Sequence, residues 1–439
     1  MSDNGERRDR RIRLRVWHWI ALVVVVLVGL VGVYVLVYRN NVERRLAALR
    51  AAGYPTSFAE LAEYHKLPEG TPNAADVYER AFRTFVAPVD DVNTPQFGKA
   101  TLPERGAPLP EPMVKAVAKL LTDNQPCLTL LHQAAGIERC RYDWDYRNLA
   151  AGTPSKDIRD CARLLYLGAL FHAQAGDPNR AVGCTRDGLA LANSLREEPA
   201  LIGYLVRVAC LSLTLNGLER GLSLTAFTDA QLQELGDALT ATAGTLDLTQ
   251  AMVAEQCLMI EMYRDPSLQG GVGGGAPVRM PPVVGKMWLL DTLDYMADII
   301  EASRLPPPER LARFRALEQQ VQQLSFLHVM VKTLTPALTR LAVLDLRARA
   351  HFDLARTALA VERYRLATGR LPDQLENLVP QYLDRVPTDP FDGRPIRYER
   401  LAHGYVVYSV NEDGHDDGGR ERDRKNRNAP CDLPFLVAR

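Results

Sequence analysis

Near the end of the chain, Asp413, Asp416 and Asp417 stand among Gly414, Gly418 and Gly419 in the run SVNEDGHDDGG, Ser409 to Gly419. Calcium takes about six to eight oxygen ligands at about 2.3 to 2.6 Å, and a glycine-rich turn can bend carboxylates and carbonyls around such an ion. The three aspartates are therefore the candidate metal ligands. Asp423 or Asp432 stands where the returning chain would close the site. The run is not an EF-hand: with Asp413 at position one, position three is His415 and position twelve is Arg424, where a carboxylate should chelate. The competing reading is a hydrated Asp-Gly turn with Arg420, Arg422 and Arg424 as counter-charges. His415 has no second histidine at helical or hairpin spacing, which sets zinc aside.

A second polar cluster is RYDWDYR, Arg141 to Arg147. Asp143 and Asp145 lie two apart between Tyr142, Trp144 and Tyr146, an arrangement that grips a sugar or a cation by stacking and hydrogen bonds, or else pins a loop onto helices by its rings. Hydrolytic signatures of the GxSxG, SxxK and HExxH kinds do not occur, and the eight histidines are scattered singly. His132 and His172 stand in apolar helical stretches, as structural histidines do.

The elements that must carry the acidic run are legible upstream of it. Leu344, Ala348, Phe352, Ala355, Leu359 and Leu366 line one face of a long helix that Gly369 ends. LPDQLENLV makes a short second helix, and TDPFDGRP carries Asp-Pro and Asp-Gly turn signals. IRYER and GYVVYSV, separated by Leu401, Ala402 and His403, have the spacing of an antiparallel hairpin. Ile396 and Tyr398 face one way, towards the long helix, and Arg397 and Glu399 the other.

The succession YRLATGRLPDQLENLVPQYL, PTDPFDGRPIRY, GYVVYSV and EDGHDDGG resembles the globular half of the major pseudopilin of type II secretion systems. That resemblance implies a long helix packed on a small antiparallel sheet, with calcium held in the loop after the strand that ends in a Tyr-Ser pair. Asp413 is the residue in the matching Asp-Gly. A pseudopilin has a short processed leader and a membrane helix that runs directly into the long helix. Here the membrane span lies far upstream, so the module reads as a borrowed, water-soluble domain over residues 336–439.

That span is the run from Trp17 to Tyr38, which contains no Asp, Glu, Lys or Arg and matches the roughly 20 residues a bilayer-crossing helix needs. Trp17, Trp19, Tyr34 and Tyr38 supply the interfacial aromatics, and the arginine-rich residues 1–16 place the N-terminus in the cytoplasm. Residues 39–85 read as juxtamembrane helices, the first continuing to Gly53 and projecting from the bilayer. Residues 86–112 read as a linker, and 113–335 as an α-helical domain interrupted by the Gly- and Pro-rich loop 269–282. That loop lacks the GKS or GKT ending of a phosphate-binding loop. Ala169, Gly176, Asp177 and Ala181 resemble one helix-turn-helix of a tetratricopeptide repeat, without a second period.

The 439 residues exceed what one hydrophobic core usually supports. The 53 basic and 53 acidic residues cancel, which argues against a nucleic-acid partner. Seven cysteines would face an oxidising compartment; Cys127 with Cys140 is the pair this reading tests first, and Cys161, Cys184 and Cys210 read as buried thiols. The expected fold is mainly α, with an N-terminal transmembrane helix, an α-helical middle and a small C-terminal α+β module. The expected role is that of a single-pass protein of the bacterial inner membrane, N-terminus cytoplasmic and bulk periplasmic, that binds or scaffolds envelope proteins. An extracytoplasmic hydrolase acting on cell-wall or sugar substrates, with Asp143 or Asp145 as acid and base, is the alternative.

Overall fold

The computed structural model describes residues 17–19, 21–26, 29, 40–64, 66–148, 154–265, 268, 282–325, 328–421 and 431–439. The chain is mainly helical and closes with a three-stranded sheet. Of the expected span 17–38, residues 17–19, 21–26 and 29 are described and helical. The rest of that span, the basic tail 1–16 and the loop residues 269–281 lie outside the described residues.

The helical residues 40–51 do not project freely. Val42 and Leu46, one turn apart, bury against Ile260, Leu289 and Leu293, and Arg45 reaches Asp294 at 2.5 Å. Next come α1 (Phe58–Glu63) and α2 (Ala75–Thr84), then α3 (Glu111–Asp123) and α4 (Gln125–Ala135). Between α2 and α3 the chain has no regular structure but is not loose: Leu109 is buried, and Phe97 and Leu102 pack on the core.

Three helices form the centre: α5 (Ser155–Gln174), α6 (Pro178–Asn193) and α7 (Leu201–Leu224). The α5–α6 turn follows its chemistry. Gly176 adopts φ +74°, Pro178 occupies the first turn, and the Asp177 side chain caps α6 by accepting the Arg180 N–H at 3.1 Å. A Cβ on Gly188 would lie 2.7 Å from the Thr214 hydroxyl, so α6 and α7 approach as closely as they do only because that side chain is absent. The apolar α7 is long enough to cross a membrane, yet 61% of its most apolar window is buried inside the protein. It is the core helix.

Around this centre lie α8 (Asp229–Ala243), α9 (Leu248–Arg264), α10 (Pro282–Ser303) and α11 (Glu309–Gln322). The long helix α12 (Val329–Thr368) starts before Pro336, which lies inside it, and ends at Gly369 with φ +75°. Ala348, Phe352, Ala355 and Leu359 are buried as their spacing predicts, whereas Leu366, in the last turn, is 43% exposed. Asp345, with no solvent exposure, ties three elements together: it accepts Tyr204 of α7, Arg310 of α11 at 2.5 Å and Arg349 of α12 at 2.9 Å.

The sheet runs β1 (Arg397–Leu401), β2 (Gly404–Ser409), β3 (Leu433–Ala438), antiparallel throughout. Tyr398 pairs with Val407, which pairs with Phe435. The hairpin was expected; the third strand joins it from the end of the chain. Ile396, Tyr405, Val407, Phe435 and Val437 share one continuous core with α12 and the central helices, so sheet and helical region are packed together.

Candidate functional sites: the acidic loop and the adjoining cleft

The acidic loop leaves β2 at a buried anchor. Asp389, from the TDPFDGRP turn, has no exposure and accepts the Ser409 hydroxyl and the Val410 N–H at 2.9 Å each, the Phe391 N–H at 3.0 Å and Arg397 at 2.9 Å. Burial holds this carboxyl above its ordinary range while those donors pull it down. Arg347 of α12 then grips the Asn411 side chain at 2.8 Å and Glu412 at 3.1 Å. The loop is thus rooted in both the sheet and the long helix.

Its carboxylates are not equivalent. Asp413 is exposed and accepts the His415 N–H at 3.2 Å. Asp416 is exposed too, and accepts the Tyr408 hydroxyl and the Gly418 N–H at 3.1 Å each. Asp417 is half-buried, and its Oδ2 has no hydrogen-bond partner among the described residues. Asp432, 3% exposed just before β3, accepts the N–H groups of Asp417 at 3.1 Å and Gly419 at 2.7 Å through Oδ2, and its Oδ1 has no partner among the described residues. Burial pushes Asp432 up to about 6, against those two N–H groups, and the charges of Asp416 and Asp417 add to the rise. Asp423, the other residue expected to close the loop, lies outside the described residues.

Two buried carboxylate oxygens of one loop, each without a partner among the described residues, are a chemical fit for a hard cation that takes only oxygen. The fit is partial. Among the described residues no group of three or more His, Cys, Asp or Glu side chains is arranged to hold a metal ion. An ion here would draw on backbone carbonyls and water beyond Asp417 and Asp432.

Beyond the loop, Glu421 meets Arg105 at 3.0 Å on the rim of a polar cleft of about 660 Å³. The cleft lies between α5, α7, β3 and the 86–112 segment, and Tyr166, Asn216, Glu219, Arg220 and Leu436 line it. Glu219, 1% exposed, accepts Arg105 and, at 2.6 Å, the Leu436 N–H. Burial raises its carboxyl to about 7, against the pull of Arg105 and that N–H. Arg105 also lowers His351, whose burial holds it at about 4.

No family model matches the chain, and no curated protein or solved structure matches it. A third polar cluster is RYDWDYR, Arg141 to Arg147. In that segment the backbone alternates: Tyr142, Trp144 and Tyr146 are buried, while Asp143 and Asp145 are exposed. The rings pin the loop, with Tyr142 bonded to Ser194 at 2.9 Å and Tyr146 to Glu198 at 3.0 Å. Burial lifts Glu198 to about 7, and Arg141 pairs with it. The two aspartates that a hydrolase would use thus point to open water and do not face each other across a cleft.

Glu198, Glu219 and Arg105 escaped the sequence reading. Glu219 carried a usable signal, a lone acid in the apolar helix LTLNGLERGLSL, because acids are almost never fully buried without a partner. Arg105 carried none, since it stands in a proline- and glycine-rich stretch that reads as a linker.

Proposed function

We propose that this chain is a single-pass protein of the bacterial inner membrane, N-terminus in the cytoplasm and bulk in the periplasm, that binds or scaffolds other envelope proteins rather than catalysing a reaction. The observation that carries the membrane half is the uncovered apolar helix at the start. Trp17 and Trp19 are 70% and 68% exposed, and Leu22 to Val26 between 51% and 67%. At roughly 25 cal/mol per Å², leaving such a row in water is unfavourable, and a bilayer removes that cost. Among the described residues Trp17–Val26 is a shorter apolar helix, and the one long enough to cross a membrane, Leu201–Leu224, has 61% of its most apolar window buried inside the protein.

The binding half rests on where the acids lie. Asp143 and Asp145 are solvated, and Glu198 and Glu219 are each held by an arginine and backbone N–H groups. The terminal module supports a link to secretion or pilus-like assemblies through its resemblance to the major pseudopilin: a long helix on a small antiparallel sheet, with an acidic loop after Tyr408-Ser409. In this reading calcium is the loop's ligand, held by Asp417 and Asp432 with Asp416 adding charge, and it orders the crossing from β2 to β3.

Protease digestion of spheroplasts tests the location. Digestion of the region after residue 40 by external protease, with the N-terminus protected, is the expected result. Protection of that region until the membrane is opened overturns the proposal.

A further inference from the structure

Cys127 and Cys161 lie 34 residues apart in sequence, on α4 and α5, and their sulfur atoms are 3.9 Å apart. Both residues are wholly buried. A disulfide needs its two Cβ atoms about 3.5–4.5 Å apart, and the touching sulfurs bring these two side chains together from separate helices. Cys140, the partner expected from sequence, is instead turned towards Tyr142 and Ser194, which hydrogen-bond its thiol.

We propose that Cys127 and Cys161 are a disulfide-forming pair that covalently ties α4 to α5 in the folded protein. The two thiols are not alike. The hydrogen bond from Cys161 holds the Cys127 thiol below its ordinary range, although burial opposes it; the Cys161 thiol is raised by its bond to Cys127 and by burial. Cys127 is also the third residue of α4, in the first turn, where backbone N–H groups favour a thiolate. It is therefore the attacking sulfur. A local opening that exposes Cys127 lets its thiolate displace one sulfur of an external disulfide and form a mixed disulfide. Cys161 loses its proton and attacks the Cys127 sulfur, releasing the second thiol. Two S–H bonds are lost and one S–S bond forms; the two electrons and two protons leave on the oxidant, which is reduced to two thiols. In the cell that oxidant, a protein dithiol–disulfide carrier, is present only if the exported location proposed above holds.

The test uses the full chain, solubilised from membranes and first reduced. It is incubated with oxidised and reduced glutathione, alkylated in denaturant and digested without reduction. The expected result is one dominant linked peptide joining Cys127 to Cys161, with an oxidation-dependent rise in Tm of roughly 5 °C from cross-linking a 34-residue loop. C127S and C161S each abolish that rise. Recovery of the two cysteines as separately alkylated peptides, or as glutathione adducts, overturns the inference, and this wild-type readout needs no variant to fold. A parallel sample alkylated directly in intact cells separates the two proposals: a pair that closes with glutathione but is reduced in the cell upholds the disulfide and contradicts the periplasmic location.

Discussion

The carboxylate of Glu219 accepts the backbone N–H of Leu436 at 2.6 Å, joining residues 217 apart in sequence. Through the same oxygen Glu219 binds Arg105, which continues to Glu421, so the core helix, the 86–112 segment and the last strand share one buried ion pair. Removing one partner of such a pair leaves an uncompensated buried charge. E219A is expected to lower stability by about 3–5 kcal/mol in urea unfolding, and E219Q, which keeps the acceptor oxygen, by less. An E219A protein within about 1 kcal/mol of wild type would remove Glu219 as the tie between helices and sheet.

The same residue sets a pH dependence. Its folded pKa, about 7, lies above the ordinary 4.5, so between those values the folded state holds a proton that the unfolded chain has released. That contribution to stability is fully present below pH 4.5 and is lost as pH rises to 7. Subtracting E219Q from wild type isolates it from Glu198, which shifts in the same direction, and from His351, which shifts in the opposite one. The difference in Tm should fall from pH 4.5 to 7 and then level. A flat difference would mean that Glu219 titrates normally.

Asp389 should be the most sensitive position in the C-terminal module. D389A strands the Ser409 hydroxyl and the Val410 and Phe391 N–H groups at once, and leaves Arg397 to Asp392 alone in the turn. The expected loss is about 3 kcal/mol or more, against about 1 kcal/mol for S409A. Chemical denaturation followed through the tyrosine signal reads both.

Calcium should raise the Tm of the purified protein, because a ligand that binds only the folded state stabilises it by about 2.7 kcal/mol at a hundredfold excess over Kd. D417N with D432N should abolish the rise and D413N should leave most of it, since Asp413 is exposed and accepts the His415 N–H. Calcium and the proton compete for Asp432, so the rise should shrink as pH falls. A Tm indifferent to calcium and chelator refutes the metal reading of the loop.

Lysines at the middle of the N-terminal helix should weaken the anchor. V24K with V25K adds roughly 2.5–3.5 kcal/mol per charge to insertion. Carbonate washing, which strips peripheral proteins, should then release a protein that otherwise stays with the membrane.

Much of the fold was legible because local chemistry decides it. The Gly176-Asp177-Pro178 turn, the stop at Gly369 and the hairpin from Arg397 to Ser409 follow from residues within a few positions of one another. The third strand was not legible: LPFLVA is apolar and short, and its pairing with β2 is decided by the return of a distant chain end. The module boundary expected at residue 336 lies inside α12. Proline forbids one helix hydrogen bond, but packing of the flanking turns on α11 and the core carries α12 through it.

By itself the sequence determined the types of element and their stops, the apolar N-terminal run and the acidic loop, since each depends on periodicity or composition within one window. Only the tertiary structure decided which acids are buried, that Asp432 and not Asp413 shares the loop's interior with Asp417, that Cys127 meets Cys161, and that Arg105 crosses to Glu219. The physical reason is that burial and charge pairing are properties of neighbours in space, and residues 15 to 217 positions apart become neighbours only when the chain closes on itself.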